Sequence, residues 1–196
     1  MAIRITAGAW RGRLLRVPRG DVRPAQDRVR LAVFSSLADR VPGARVLDLF
    51  AGTGAYGLEA LSRGAASATW VENERRVLAV LCENVKALCS PDSPEGRGMA
   101  VVRADALRFL VRGGGDASYD LIFADPPYDR AGGWLKKILS ALTGRSILKS
   151  DGLLIMEQSA HVPAVTREGW QQLKCRVYGE TQINYMAPTG ERKTMQ

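Results

Sequence analysis

The residues best equipped for chemistry stand four in a row: Asp125, Pro126, Pro127 and Tyr128. They follow the apolar run Tyr119–Ala124, which reads as a buried strand. Two prolines cannot continue a central strand, because each lacks the N–H that the ladder needs. An acid, two fixed backbone carbonyls and an aromatic ring are therefore presented together where that strand ends. Such a set can accept hydrogen bonds from a planar NH2 group and stack against the ring that carries it. Chemistry on the exocyclic amine of a nucleobase has that requirement.

A second candidate is the loop Asp48-Leu49-Phe50-Ala51-Gly52-Thr53-Gly54-Ala55-Tyr56-Gly57. Gly52 and Gly54 allow a tight turn and close approach of backbone to a ligand. The string 52–57 also satisfies G-x-G-x-x-G, so a nicotinamide oxidoreductase is one reading, and a glycine turn made only for packing is another. Asp48, four residues before the first glycine, shifts the balance. A carboxylate there repels a pyrophosphate and suits a cationic amine. Glu72 is placed to accept both hydroxyls of a ribose, and Asp105 to reach an adenine amine, although a helix N-cap explains Asp105 equally well. Three acids around a glycine loop match S-adenosylmethionine, which carries an ammonium, a sulfonium, a ribose and an adenine.

The elements that must position these residues alternate. Residues 3–17 suggest a hairpin turning near Trp10-Arg11-Gly12, and apolar residues at helical spacing predict a helix over 27–40. Strands are expected at Arg45–Phe50, Ser67–Glu72, Met99–Arg103, Tyr119–Ala124 and Leu153–Glu157. Helices are expected at Ala55–Arg63, Glu74–Cys89, Ala106–Val111 and Trp134–Leu142. Two last strands, Leu173–Tyr178 and Gln182–Ala187, lack a helix between them and suggest a terminal hairpin. Alternating β and α elements imply a mostly parallel sheet covered on both faces, with ligands outside the carboxyl ends of the strands. Asp48, Glu72, Asp105 and Asp125 all fall at such ends. The expected organisation is a basic N-terminal arm (1–26), a main domain with a leading helix (27–187) and a flexible tail (188–196).

The net charge of +8 is uneven: residues 1–30 hold eight arginines and two aspartates. All the basic residues of this arm are Arg, whose planar fork matches phosphate, so the arm points to nucleic acid rather than to a merely solvated surface. The composition, 46% hydrophobic and 24% charged, is that of a globular chain, with no apolar run long enough to span a membrane and no signal-peptide core at the start. Three cysteines without a C-x-x-C pair argue for neither disulfides nor zinc, and for a reducing cytoplasm.

With these features together, the chain resembles the bacterial 16S rRNA guanine-N2 methyltransferases of the small ribosomal subunit. The resemblance rests on Ile3-Arg4-Ile5, Gly8 and Trp10–Arg13, on Arg23-Pro24 with Asp27–Arg30, on Asp48–Gly54, on Leu58–Gly64 and on Asp125–Tyr128. The glycine loop and the Asp-Pro-Pro-Tyr set mark amino-methyltransferases widely; the arm and Asp27–Arg30 narrow the match. Three positions depart from the family's usual pattern: Ala25 for Thr, Leu31 for an acid and Tyr56 for an aliphatic residue.

The resemblance implies a Rossmann-like fold with a seven-stranded sheet, S-adenosylmethionine as methyl donor, no metal, and 16S rRNA within a small-subunit particle as partner. It implies that Asp125 and the Pro126 carbonyl accept the N–H bonds of the guanine amine, with Pro127 fixing the turn and Tyr128 stacking on the base. Phe50, Ala51 and Thr53 would join Asp48, Gly52 and Gly54 around the donor, with Asn73 beside Glu72 and Ala106 beside Asp105. Arg4, Trp10, Arg11, Arg13, Arg23 and Arg28 are the expected RNA contacts. His161, the only histidine, reads as a surface or packing residue. The rivals are a DNA adenine-N6 or cytosine-N4 methyltransferase, the oxidoreductase, and a non-catalytic RNA-binding factor.

Overall fold

The computed structural model describes residues 3–18, 26–89, 98–113, 118–127, 133–163, 165 and 167–189. Tyr128, Arg23, Ala25 and the end of the tail from Gly190 lie outside them. The chain opens with a two-stranded antiparallel hairpin, β1 (Ile3–Arg4) and β2 (Leu14–Leu15). There follow α1 (Gln26–Ser36), β3 (Arg45–Leu49), α2 (Ala55–Ser62), β4 (Ser67–Glu72), α3 (Arg75–Leu88) and β5 (Met99–Arg103). The remainder is α4 (Ala106–Val111), β6 (Tyr119–Ala124), α5 (Gly133–Leu142), β7 (Leu148–Ser159), β8 (Trp170–Tyr178) and β9 (Thr181–Pro188).

Seven strands form one sheet in the order β5-β4-β3-β6-β7-β9-β8. The first five of these pair in parallel, and β9 runs antiparallel to both β7 and β8. This is the expected α/β class with a terminal antiparallel hairpin. The bounds of β4, β5, α4 and β6 coincide with those expected from the sequence. Parallel strands buried on both faces carry apolar runs in their central strands, and such runs are sharply bounded by polar residues.

The other elements differ from expectation at one or both ends. The helix expected over 27–40 ends at Ser36 and gives way to a 3-10 turn at Ala38–Arg40. There the Ser36 hydroxyl bonds the Val33 carbonyl at 2.8 Å and lies 2.7 Å from the Tyr185 hydroxyl. A serine that satisfies a backbone carbonyl in the preceding turn competes with the helix ladder. Strand β7 begins at Leu148 rather than Leu153, because Lys149-Ser150-Asp151 hid it behind polar side chains; Lys149 in fact pairs with Asp120 at 2.5 Å. Strand β8 begins at Trp170, and β9 runs through Pro188, where the tail was expected to start. Pro188 pairs with Trp170, and the Thr189 amide donates to the Gly169 carbonyl at 2.9 Å.

Side chains alternate between two cores, one on each face of the sheet. Val46, Leu121, Phe123, Leu153 and Ile155 pack toward the hairpin, α1 and α2. Leu47, Leu49, Ile122, Ala124, Leu154 and Met156 pack toward α4 and α5. The hairpin is bound to the first face through Glu59 of α2, which is fully buried. Its carboxylate accepts the Thr6 amide (2.7 Å), the Thr6 hydroxyl (2.6 Å) and the Ala7 amide (3.0 Å). Arg63 (2.8 Å) and the buried Arg30 (3.5 Å) neutralise it. Arg30 also donates to the Arg4 carbonyl and to Asp27. A buried acid needs such complete pairing, since an unpaired charge there is severely penalised. Gly8 lets the hairpin sit this close: a Cβ on it would lie 1.8 Å from the Ser62 carbonyl oxygen.

Candidate active site at the switch point of the sheet

The chain moves outward from β3 to β4 and β5, then returns to place β6 on the other side of β3. The loops after β3 and β6 therefore diverge and leave a crevice between them, the place where open α/β sheets bind ligands. A cavity of about 850 Å³ occupies that crevice. This is at the upper end of the range for small-molecule sites.

One half of the cavity is built from the β3 loop and the ends of β4 and β5. Phe50, Ala51, Gly52 and Thr53 line it, with Asp48 beneath them. Glu72, Asn73, Asp105 and Ala106 line the adjoining wall. Phe50 is the one non-glycine residue with positive φ (57°) among the described residues. Backbone held in this region is strained and tends to mark functional sites. The Glu72 carboxylate accepts the Gly52 amide at 2.9 Å and the Glu74 amide at 2.8 Å. Asp105 caps α4 by accepting the Arg108 amide at 2.9 Å, so the capping alternative is realised while Asp105 still faces the cavity. Gly54 is not part of the lining; it opens α2 in the left-handed region.

Asp48 is 3% exposed and accepts the Gly57 amide at 2.9 Å. Burial pushes its carboxyl up to about 8, and the charge of Glu72 adds to that, against the Gly57 hydrogen bond and the Arg30 charge. A buried acid of this kind releases its proton readily only when a cation arrives beside it. Gly57 makes the close approach of α2 to the sheet possible, since a Cβ there would lie 2.2 Å from the Trp70 indole nitrogen.

The other half of the cavity is lined by Asp125, Pro126, Pro127, Tyr56, Glu157 and Trp134, with Ile3, Pro18 and Arg30 beside them. The Tyr56 hydroxyl donates to Glu157 at 2.9 Å, and its ring stacks on Phe123 with centroids 5.0 Å apart. Burial, then the charges of Glu157 and Asp125, raise the Tyr56 phenol well above its ordinary value, so it stays a donor. Trp134 meets Phe50 edge-on at 5.0 Å and joins the two halves. Trp134 stands at the start of α5, which thus begins at the cavity.

The expected RNA contacts are elsewhere. Arg4, Arg11, Arg13 and Arg28 are exposed and none lines the cavity. Trp10 is half-buried against the first core, which favours its packing role. Part of the arm's charge is internally answered: Arg30 is buried, and Arg16 pairs with Glu83 at 2.6 Å. His161 is exposed in the turn after β7, outside the cavity lining. Sequence reasoning missed Glu157, although it follows the buried run of β7 just as Asp125 follows β6. Tyr56 was visible only as a departure, Ile3 and Arg30 only as members of the motifs that carry the resemblance, and nothing in the sequence marked any of them or Pro18 as lining the cavity. Among the described residues, no group of three or more His, Cys, Asp and Glu side chains could hold a metal ion, and no helix is long and apolar enough to cross a membrane.

The comparisons agree with one another. The family model described as conserved hypothetical protein 95 matches residues 3–187. The ribosomal RNA small subunit methyltransferase D of Escherichia coli strain K12 is 37% identical over 181 residues, covering 91% of this chain and 86% of that protein. The solved structure of yhhF from Escherichia coli superposes with a TM-score of 0.82 at 34% identity, covering 96% of this chain and 98% of that one. A more distant structure, SMU.776 complexed with SAH, shares the fold (TM-score 0.64, 20% identity) over 84% of this chain and 50% of that one. A match across both chain lengths, together with the methyltransferase-type sheet, places this chain in the conserved hypothetical protein 95 family, among the ribosomal RNA small subunit methyltransferase D proteins.

Proposed function

We propose that this protein transfers a methyl group from S-adenosylmethionine to the exocyclic N2 amine of a guanine in 16S rRNA. One observation carries the reading: the Asp125-Pro126-Pro127 turn and the acid-bearing glycine loop open into the same cavity. The name of the Escherichia coli relative supports small-subunit rRNA as substrate, and the SAH complex of the distant structure supports the donor.

The residues of the first half fit the donor. Asp48, whose raised pKa a neighbouring cation would bring down, would face its ammonium group as a carboxylate. Glu72, fixed by two backbone amides, would accept the ribose hydroxyls, because each carboxylate oxygen has a second lone pair. Asp105 and Ala106 would border the adenine. When bound, the donor supplies a sulfonium methyl, already a strong electrophile.

The chain's own contribution is positioning. The lone pair of guanine N2 is delocalised into the ring, so the amine is a poor nucleophile. Asp125 and the Pro126 carbonyl would accept its two N–H bonds, favour a localised lone pair and aim it at the methyl carbon. Asp125 would take the proton after transfer, when the nitrogen is acidic, and so has no need to be a strong base beforehand. Holding both partners in one cavity supplies most of the acceleration. A base inside a helix would not reach this turn, so the target is unpaired or flipped out. Tyr128 would stack on the base, and the exposed Arg4, Arg11, Arg13 and Arg28 would meet phosphates.

Two measurements test this. Calorimetry should give binding of S-adenosylmethionine and its demethylated product and none of NAD; the reverse would restore the oxidoreductase. Incubation with small-subunit RNA and with the particle, followed by mass mapping, should place one methyl group on a guanine amine. A methyl group on an adenine or cytosine would overturn the N2 assignment.

A further inference from the structure

Glu157 is a charged group in the cavity for which neither the donor nor the transfer step has a use. Its position is set by the sheet. Strands β6 and β7 are parallel neighbours with Ala124 in register with Met156, so Asp125 and Glu157 follow at adjacent positions. Neighbouring strands lie about 4.8 Å apart. Ala124 and Met156 both pack into the second core, so Glu157, the next residue on β7, turns to the opposite face, while Asp125 follows directly on the end of β6 beside it. Both acids line the cavity. Glu157 is held by the Tyr56 hydroxyl at 2.9 Å, and Tyr56 is held by stacking on Phe123. The Tyr56 contact orients the carboxylate, whose two oxygens together offer about four lone-pair sites.

Two acceptors side by side select among bases that carry an amine. Guanine presents two donors together, its N2 amine and its N1–H. Adenine and cytosine present their amine beside a ring nitrogen that is an acceptor. A carboxylate next to Asp125 welcomes the first pattern and repels the second.

Resting on the guanine-N2 reading above, we propose that Glu157, oriented by Tyr56, determines base specificity by accepting the N1–H of the target guanine while Asp125 holds the neighbouring N2 amine. Tyr56 is a positioning residue, and Glu157 is the group that touches the base.

The test uses small-subunit RNA, assembled as the active substrate, in which the mapped nucleotide is replaced by 2-aminopurine. That base keeps the N2 amine and turns N1 into an acceptor. Wild type should methylate guanine at least about a hundredfold faster than 2-aminopurine in single turnover, as sites built to hydrogen-bond a donor reject analogues that lack it. Glu157→Gln should collapse this ratio to near one or invert it, because the glutamine amide donates to the unprotonated N1. Tyr56→Phe should lower the ratio by about tenfold while raising KM for RNA more than it lowers kcat. Melting temperature and affinity for the demethylated donor serve as controls. Equal wild-type rates on the two bases would overturn the proposal whether or not the variants fold. So would a ratio unchanged in Glu157→Gln with normal melting. Both failures leave methylation of guanine itself intact, whereas a methyl group mapped to another base overturns the underlying reading.

Discussion

The two halves of the cavity are built by different means. In the donor half, the acids are held by backbone amides no more than 20 residues away in the chain: Asp48 by Gly57, and Glu72 by Gly52 and Glu74. In the acceptor half, the holding contacts are between side chains far apart in sequence. Tyr56 reaches Glu157 across 101 residues, and Ile3 and Pro18 arrive from the N-terminal segment. The donor half is thus a property of one loop and two strand ends. The acceptor half depends on how the hairpin, α2 and β7 are packed together. The donor half should therefore tolerate disturbance of the tertiary structure better.

The harshest way to break the contrast is through Glu59, which fastens the hairpin. Glu59→Ala takes from the buried Arg30 one of its two carboxylate partners and from the Thr6 and Ala7 amides their acceptor, and should cost about 3–5 kcal/mol in urea unfolding. Under native conditions turnover should fall more than affinity for the demethylated donor. Equal losses in both would show that the two halves share one support.

Asp125→Ala acts within the acceptor half alone. Turnover should drop about a hundredfold or more, the scale of a lost group that positions the amine and takes its proton. Calorimetric affinity for the donor should stay within about twofold by the same reasoning. Wild-type rates would remove Asp125 from the chemistry.

Glu72→Ala makes the complementary cut. Loss of a charge-assisted contact should weaken donor binding by about 1–3 kcal/mol, with kcat at saturating donor little changed. A fall in kcat with unchanged affinity would move Glu72 to the acceptor side of the comparison.

Asp48 sharpens the electrostatic side. Its folded-state pKa, about 8, lies above the ordinary carboxylate value. The folded protein then binds more protons than the unfolded chain between about pH 4 and pH 8, so this group lowers stability as pH rises through that window. Asp48→Asn removes the effect. The variant's melting temperature relative to wild type should climb from pH 5 to pH 8 and level off above. A difference that does not vary with pH would mean that Asp48 is already ionised in the free protein.

The smallest structural effect is expected outside both halves. Replacing Arg11, Arg13 and Arg28 with Gln should change stability by no more than about 0.5 kcal/mol, since all three are exposed. The salt dependence of RNA affinity should flatten by up to about three phosphate contacts. Earlier melting with an unchanged salt slope would make these arginines packing residues.

Much of this was legible from the chain itself. Apolar runs ending in acids or prolines set the parallel strands, and the glycines after Asp48 marked the first turn, because strand burial and turn chemistry are local. So the strand-end acids Asp48, Glu72, Asp105 and Asp125 could be named from sequence, and all four line one cavity. The sequence also showed eight arginines in the first thirty residues, yet burial alone separates Arg30, locked against Glu59, from Arg11 and Arg28 on the surface. The lesson repeats at Tyr56 and Glu157. Tyr56 stood out only as a departure from the family's pattern and Glu157 not at all, and they became a pair only when the start of α2 set the Tyr56 ring on Phe123 of β6 and its hydroxyl on Glu157 of β7. Local pattern determines which elements form and where their ends fall. Contacts between residues a hundred positions apart leave no periodicity to read, so their partners are decided by sheet order and packing.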